Sequence, residues 1–171
     1  MCQPESIATY GGTQSVSNQI IQYSYNDIHN HTLRLLAKIQ ASHYYNAPVR
    51  FDYIVGVARG GLLPATILSH HMGIPLRPLS WSTRDHASSV HDENIKEDLR
   101  DGKRVLLVDD INDSGKTFVE ILEDWEYDEL STLGVVTLAS VFQRYSTVLP
   151  SNFYSVFLDH DDWIGFPWER K

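Results

Sequence analysis

The densest concentration of chemically capable side chains is Val105-Leu106-Leu107-Val108-Asp109-Asp110-Ile111-Asn112-Asp113-Ser114-Gly115-Lys116-Thr117. An unbroken apolar run such as Val105–Val108 reads as a strand buried on both faces, and it ends on two carboxylates. A short loop with Ser114, Gly115 and Thr117 then opens a helix, whose free N–H groups and dipole favour an anion. Ser114 and Thr117 add hydroxyl donors, while Asp109 and Asp110 can accept from sugar hydroxyls or stand near a metal ion. The pattern sets a phosphate site beside a ribose site. Two familiar phosphate motifs do not fit. The Gly-x-x-x-x-Gly-Lys-Thr loop of nucleotide triphosphatases requires glycine at position 110, where the chain has Asp110. Gly56-x-Ala58-x-x-Gly61 has alanine where the second glycine of a dinucleotide fingerprint belongs. Asp and Ser also cap strand ends and helix starts for structural reasons alone, so spacing by itself leaves that alternative open.

Other polar clusters point to less. The eight histidines include His29/His31, His70/His71 and His86/His91, but none has Cys or carboxylate companions in a recognised zinc arrangement. The acidic run from Glu120 to Glu129 reads as a solvated helix face.

Several elements must position the Asp109–Thr117 segment. Ser24-Tyr25-Asn26-Asp27 resembles a helix start, and Ile28, Leu35, Leu36 and Ile39 recur on one face, which predicts a helix over about 25–43. Phe51–Val57 is a β-prone run that stops at Ala58-Arg59-Gly60-Gly61, where glycines permit a tight turn. A second helix is expected at about 62–72, ended by Gly73, and Ile74–Leu79 reads as a short or peripheral strand because it carries prolines. Residues 80–100 are polar without sustained periodicity and form a candidate lid or binding loop. Phe118, Ile121, Leu122 and Trp125 fall at i, i+3, i+4 and i+7, predicting a helix over about 115–127. Leu133–Phe142 and Phe153–Leu158 are further β-prone runs. The alternation describes an open α/β domain with a mainly parallel sheet.

Composition narrows the partners. At 171 residues the chain fits one globular domain, 19–171, preceded by a polar, flexible N-terminal arm at 1–18. Fourteen basic against 22 acidic side chains give a formal charge of −8, the wrong sign for broad contact with nucleic acid or anionic lipid. No apolar run approaches the roughly 20 residues of a membrane span, and the polar start lacks the basic and apolar regions of a signal peptide. Cys2 is the sole cysteine and cannot close an intrachain disulfide, so a cytoplasmic location is expected.

Four segments, in order, resemble one family. Val105–Thr117 resembles the phosphoribosyl-pyrophosphate motif of the type I phosphoribosyltransferases, a hydrophobic strand, two acidic residues and an Asp-Thr/Ser-Gly-x-Thr loop. Tyr53–Pro64 resembles the family's pyrophosphate loop. Asp162-Trp163-Ile164-Gly165-Phe166-Pro167-Trp168-Glu169 is similar to the carboxyl-terminal segment of the xanthine-guanine-hypoxanthine branch, and Tyr23–Ile28 to that branch's opening helix. The resemblance covers about residues 19–169.

The resemblance implies the type I phosphoribosyltransferase fold, a mainly parallel open sheet flanked by helices with a small hood formed by terminal segments. It also implies transfer of ribose 5-phosphate from phosphoribosyl pyrophosphate to N9 of a 6-oxopurine, with Mg²⁺ and release of pyrophosphate. By position, Asp113, Ser114, Gly115, Lys116 and Thr117 would hold the 5′-phosphate. Asp109 and Asp110 would serve the ribose hydroxyls and the metal, and Arg59 with Gly60 the pyrophosphate. Asp113 would also face N7 of the purine. Nearby carboxylates stabilise the positive charge that develops on the ribose, and a metal neutralises the leaving group. Residues 82–98 would form the family's mobile loop over the reacting centre. Trp163 would stack on the base and the Ile164 backbone would meet its 2-position edge, with Pro167 and Trp168 tucking the tail onto the sheet. Relatives assemble as dimers and tetramers, so a homo-oligomer is expected.

One departure changes the expectation. The branch has a lysine before the tail that donates to the purine 6-oxo group, and no lysine occurs here between Lys116 and Lys171. Arg144 or Gln143 would donate instead, and a planar guanidinium is not equivalent to an ammonium. A non-catalytic regulator that binds phosphoribosyl pyrophosphate, and a transferase of altered base specificity, therefore stand as alternatives.

Overall fold

The computed structural model describes residues 19–42, 50–81, 93–126 and 135–169. The elements in chain order are β1 (Ile20–Gln22), α1 (Tyr25–Ser42), β2 (Tyr53–Ala58), α2 (Leu62–Met72), β3 (Leu76–Ser80), α3 (Glu93–Arg100), β4 (Val105–Asn112), α4 (Lys116–Asp124), β5 (Val136–Arg144), β6 (Phe153–Leu158) and β7 (Trp163–Gly165).

The main sheet has five parallel strands in the order β3-β2-β4-β5-β6. Strand β2 is interior and apolar, and its two neighbours, β3 and β4, follow it in sequence on opposite sides. The crevice outside the carboxyl ends of β2 and β4 is therefore a topological switch point, where open α/β sheets take their ligands. Pro78 lies within β3, and this strand is at the sheet edge, where a missing N–H costs little.

Helices cover both faces. Leu35, Leu36 and Ile39 of α1 and Ala65 and Leu68 of α2 pack on Ile54, Leu106, Val108 and Ala139. On the other face Ile95 and Leu99 of α3 and Phe118 and Ile121 of α4 pack, with Trp125, on Val55, Val57, Val105, Leu107 and Leu138. Helix α1 starts as its sequence predicts: the Ser24 N–H donates to Asp27 Oδ2 at 2.9 Å and the Asp27 N–H to Ser24 Oγ at 3.2 Å, a reciprocal cap. No helix among the described residues is long and apolar enough to cross a membrane.

The second sheet is small. Strands β1 and β7, from opposite ends of the described chain, pair in parallel with Ile21 opposite Ile164. Ile28, Phe142, Leu158, Ile164 and Phe166 form the apolar cluster that seats this hood on the carboxyl ends of β5 and β6.

Three expectations require correction. The strand expected to end at Asp109-Asp110 continues to Asn112, because Ile111 and Asn112 pair with Phe142 and Gln143 of β5. The polar stretch expected as a continuous loop over 82–98 contains α3 from Glu93, an eight-residue helix anchored by two buried side chains, Ile95 and Leu99; residues 82–92 lie outside the described residues. Helix α4 ends at Asp124 and not near 127. The expected N-terminal arm, 1–18, also lies outside the described residues.

Candidate active site

The extension of β4 carries Asp109 and Asp110 into the crevice at the switch point. Asp109 is 9% exposed. Burial, reinforced by the neighbouring Asp110 carboxylate, holds its carboxyl well above the usual carboxylate range. Burial and the charge of Glu169 push Asp110 up to about 6, against the bonds it accepts from Asp109 and from the Ile111 N–H. Among the described residues neither acid has a cation beside it, and both favour the proton.

The loop after β2 closes the same place from the other side. A Cβ on Gly60 would lie 2.0 Å from Asp110 Oδ2, and one on Gly61 2.4 Å from the Val108 carbonyl oxygen. Only glycine lets this backbone lie against the acidic strand end. The Arg59 side chain is exposed and does not line the cavity between β4 and the hood, so the structure sets Gly60 against Asp110 but leaves Arg59 outside.

That cavity measures about 370 Å³. Its floor is the β4–α4 connection, with Asp109, Asp110, Asp113, Ser114, Gly115, Lys116 and Thr117 all on the lining. Gly115 has φ +86° at the start of α4, a left-handed conformation that glycine adopts freely. Gly115 offers this helix no side-chain cap and the Lys116 N–H makes only a long 3.4 Å bond to Ser114 Oγ, so the first turn leaves N–H groups for an anion. Lys116 Nζ lies 3.4 Å from Glu120 Oε1, an ion pair with its lysine exposed and free to turn toward a phosphate.

The far wall comes from β5 and the hood. Arg144 lines the cavity, is 8% exposed, and donates from its guanidinium to Asp113 Oδ1 and to the carbonyl oxygens of His160 and Asp162. One side chain thus ties the phosphate loop, β5 and the segment leading into the hood. Gln143, the other candidate for facing a base, is buried and accepts from the Ser151 N–H at 2.6 Å; it does not line the cavity, which corrects that expectation. Trp163 reaches the lining from β7 with about half its surface exposed, while Ile164 beside it is buried.

Glu169 also lines the cavity and accepts from the Phe166 N–H at 3.2 Å, and its charge acts on Asp110. It stands in the quoted tail segment, but spacing gave no means of knowing that the tail folds back over β4. No group of three or more His, Cys, Asp or Glu side chains among the described residues is arranged to hold a metal ion. Two carboxylates completed by substrate oxygens and water are the usual surroundings of Mg²⁺ in phosphate sites, so Asp109 and Asp110 fit that ion arriving with a polyphosphate.

Comparison with known proteins agrees with this architecture. The phosphoribosyl transferase domain family matches residues 24–170. A xanthine-guanine phosphoribosyltransferase from Idiomarina loihiensis is 27% identical over 90% of this chain and 89% of its own length. Among solved structures, a purine phosphoribosyltransferase from Pyrococcus horikoshii superimposes with a TM-score of 0.64 at 26% identity, covering 89% of this chain and 95% of the other. A hypothetical protein from Neisseria gonorrhoeae with bound ppGpp superimposes with a TM-score of 0.67 at 25% identity, covering 90% of each. With the sheet order, the position of the cavity and the motif order pointing the same way, the chain belongs to the phosphoribosyl transferase domain family, as a type I phosphoribosyltransferase of the xanthine-guanine branch.

Proposed function

We propose that this chain transfers ribose 5-phosphate from phosphoribosyl pyrophosphate to N9 of a 6-oxopurine, guanine, xanthine or hypoxanthine, in purine salvage. The observation that carries the reading is the cavity itself: a buried and a part-buried carboxylate stand between a helix start with no N-cap side chain and a half-exposed indole. Similarity to xanthine-guanine and purine phosphoribosyltransferases supports the choice of base class.

In this reading the open N–H groups at the start of α4, with Ser114, Thr117 and Lys116, hold the 5′-phosphate. Asp109 and Asp110 accept from the ribose hydroxyls and hold Mg²⁺, which supplies neutralising charge to the pyrophosphate oxygens. As the C1′–oxygen bond breaks, positive charge grows on the ribose and the two carboxylates stabilise it. The C1′–N9 bond forms and the pyrophosphate leaves past Gly60, with Arg59 as the exposed cation at its exit. Asp113 keeps one carboxylate oxygen on Arg144 and presents the other to N7 of the base, where it takes the proton that the base gives up as N9 bonds to C1′. Trp163 stacks on the ring and the Ile164 backbone meets its 2-position edge. A guanidinium has five N–H donors and three bonds from Arg144 are accounted for, so it retains donors for a 6-oxo group.

A second reading, a regulator that binds phosphoribosyl pyrophosphate without turnover, is favoured by the engagement of Arg144 with protein acceptors where the branch has a lysine. One assay separates the two: protein, Mg²⁺ and phosphoribosyl pyrophosphate with guanine, xanthine, hypoxanthine, adenine or orotate, followed by chromatography of the nucleotide. A 6-oxopurine nucleotide establishes the transferase. Sugar-phosphate binding by calorimetry with no nucleotide from any base establishes the regulator and overturns the first reading.

A further inference from the structure

A buried polar network lies beneath the phosphate loop, and no step of the proposed reaction uses it. Asn112 closes β4 and is 3% exposed. Its Nδ2 donates to the Leu149 carbonyl oxygen at 2.8 Å and to Ser151 Oγ at 3.1 Å, and its Oδ1 lies 2.9 Å from Thr147 Oγ1, which donates. Ser151 Oγ lies 2.9 Å from Ser140 Oγ, and the Ser151 N–H donates to Gln143 Oε1. The 147–151 turn that receives these bonds is the surface on which the loop rests. The Val148 N–H donates to the Ser114 carbonyl oxygen at 3.1 Å, and a Cβ on Gly115 would meet Thr147 Oγ1 at 2.7 Å and the Leu149 nitrogen at 2.8 Å.

The geometry explains why a carboxamide stands here. Donating to Leu149 and Ser151 while accepting from Thr147 requires a donor and an acceptor on one short side chain, and only asparagine has both at this reach. An apolar residue of equal size would leave the Leu149 carbonyl and the Thr147 hydroxyl only the long 3.2 Å bond they make to each other and Ser151 Oγ only Ser140, so the turn would lose its ties to β4, and aspartate would lack the donor. Asn112 is covalently adjacent to Asp113. It therefore fixes the height of the Asp113–Gly115 backbone above the turn, and so the direction in which the first N–H groups of α4 point.

We propose that Asn112 is a positioning residue for the sugar-phosphate subsite, acting through Thr147 and the 147–151 turn. This rests on the phosphoribosyltransferase reading of the cavity, and it makes the subsite rigid before any ligand arrives. Its consequence is selective: loss of the network weakens binding of the 5′-phosphate and leaves the base end, across the cavity at Trp163, as it was.

Calorimetric titration with ribose 5-phosphate, and with phosphoribosyl pyrophosphate plus Mg²⁺, tests this without requiring turnover. Asn112→Leu is expected to weaken both ligands about tenfold or more, the equivalent of one hydrogen bond's worth of positioning. Thr147→Val is expected to do the same to a smaller degree, and Thr147→Ser, which keeps the hydroxyl, to bind as the parent chain does. Variants that merely unfold in part lower the number of sites titrated and leave the dissociation constant alone. In steady-state assays the KM for phosphoribosyl pyrophosphate should rise while that for guanine stays fixed. Unchanged dissociation constants in Asn112→Leu and Thr147→Val, with the parent binding both ligands, overturn the role of Asn112 and leave the function standing. A parent chain that binds neither phosphate ligand overturns the functional reading and this inference with it.

Discussion

Two acidic centres in this chain have opposite surroundings. Asp98, on α3, has a side chain 11% exposed and receives Lys103 Nζ and Arg77 Nη1, the latter at 2.7 Å, with the Tyr53 hydroxyl also acting on it. The Arg77 guanidinium also lies 4.0 Å over the Tyr53 ring. Lys103 first, then Arg77 and Tyr53, hold its carboxyl below the usual range in spite of burial. Asp109 and Asp110, at the end of β4, have no cationic partner among the described residues and are held above that range. Both centres bring carboxylates out of water. One is completed within the chain and fastens α3 to β3; the other is left incomplete inside a cavity, the contrast on which the proposed role of Asp109 and Asp110 rests.

The largest effect should come from removing the unfinished acids. Asp109→Asn and Asp110→Asn each keep the size of the side chain and remove the charge that the proposed reaction sets against the developing ribose cation. Each is expected to lower kcat/KM for nucleotide formation by at least about a hundredfold, in protein that melts no lower than the parent. Full activity in both variants would place the reaction elsewhere and dissolve the contrast.

Asp98→Ala should do the reverse. It leaves Arg77 and Lys103 without their shared partner, but both are partly exposed, so the cost is expected at about 1–2 kcal/mol and not the larger figure for a dry ion pair. Thermal melting at pH 7 measures it, and kcat/KM per folded molecule should not change. Because the folded carboxyl titrates below its unfolded value, this stabilisation is complete above pH 4 and is lost as pH falls further. The melting curves of Asp98→Ala and the parent should therefore converge in acid.

Asp110 has the opposite sign. Its carboxyl titrates at about 6 in the folded chain against an ordinary 3.8, so the folded state holds a proton that the unfolded state releases. Stability of the ligand-free protein should fall as pH rises from about 4 to 6 and then level. A shift of this size converts to about 3 kcal/mol, but Asp110 is only part-buried and titrates with Asp109, so about 1 kcal/mol is the expected gain in Asp110→Asn at pH 7.5. Differential melting across this pH range would show the gain vanish near pH 4. A variant that is less stable than the parent at pH 7.5 would mean that the acid is internally satisfied after all.

The sequence disclosed the unfinished centre far better than the finished one. Asp109 and Asp110 follow an apolar run, and a loop rich in Ser, Gly and Thr follows them, so a local pattern marks the segment that lines the cavity. Helix α1 and strand β6 were equally legible, because their periodicities lie within single segments, and α2 was located by the glycine that ends it, Gly73. Helix α3 was not, since its apolar contribution is two side chains, Ile95 and Leu99, in a polar stretch. Strands β1 and β7 were hidden for another reason: each is three residues long and exists only because the two ends of the chain meet. The same holds within the site. Gln143 and Arg144 are adjacent in sequence and looked interchangeable, yet alternation along β5 sends one to the Ser151 network and the other to the cavity. Glu169 and the Asn112 network depend on contacts across long sequence distances, which no spacing rule reports.

The smallest expected effect sharpens the contrast, because it holds ion-pair chemistry constant and changes only the surroundings. Arg100 Nη2 lies 3.1 Å from Glu126 Oε2, at the end of α3 near Asp98, but the two side chains are 64% and 70% exposed. Water competes for both groups, and two long side chains lose freedom in meeting, so the pair should contribute under about 0.5 kcal/mol. Arg100→Ala is expected to melt within error of the parent at 0.15 M salt, while Asp98→Ala melts several degrees lower. A measurable loss from Arg100→Ala that disappears in 1 M salt would show that the −8 charge of the chain makes each exposed cation count. The line between the two centres would then follow charge balance across the whole protein and not burial at each site.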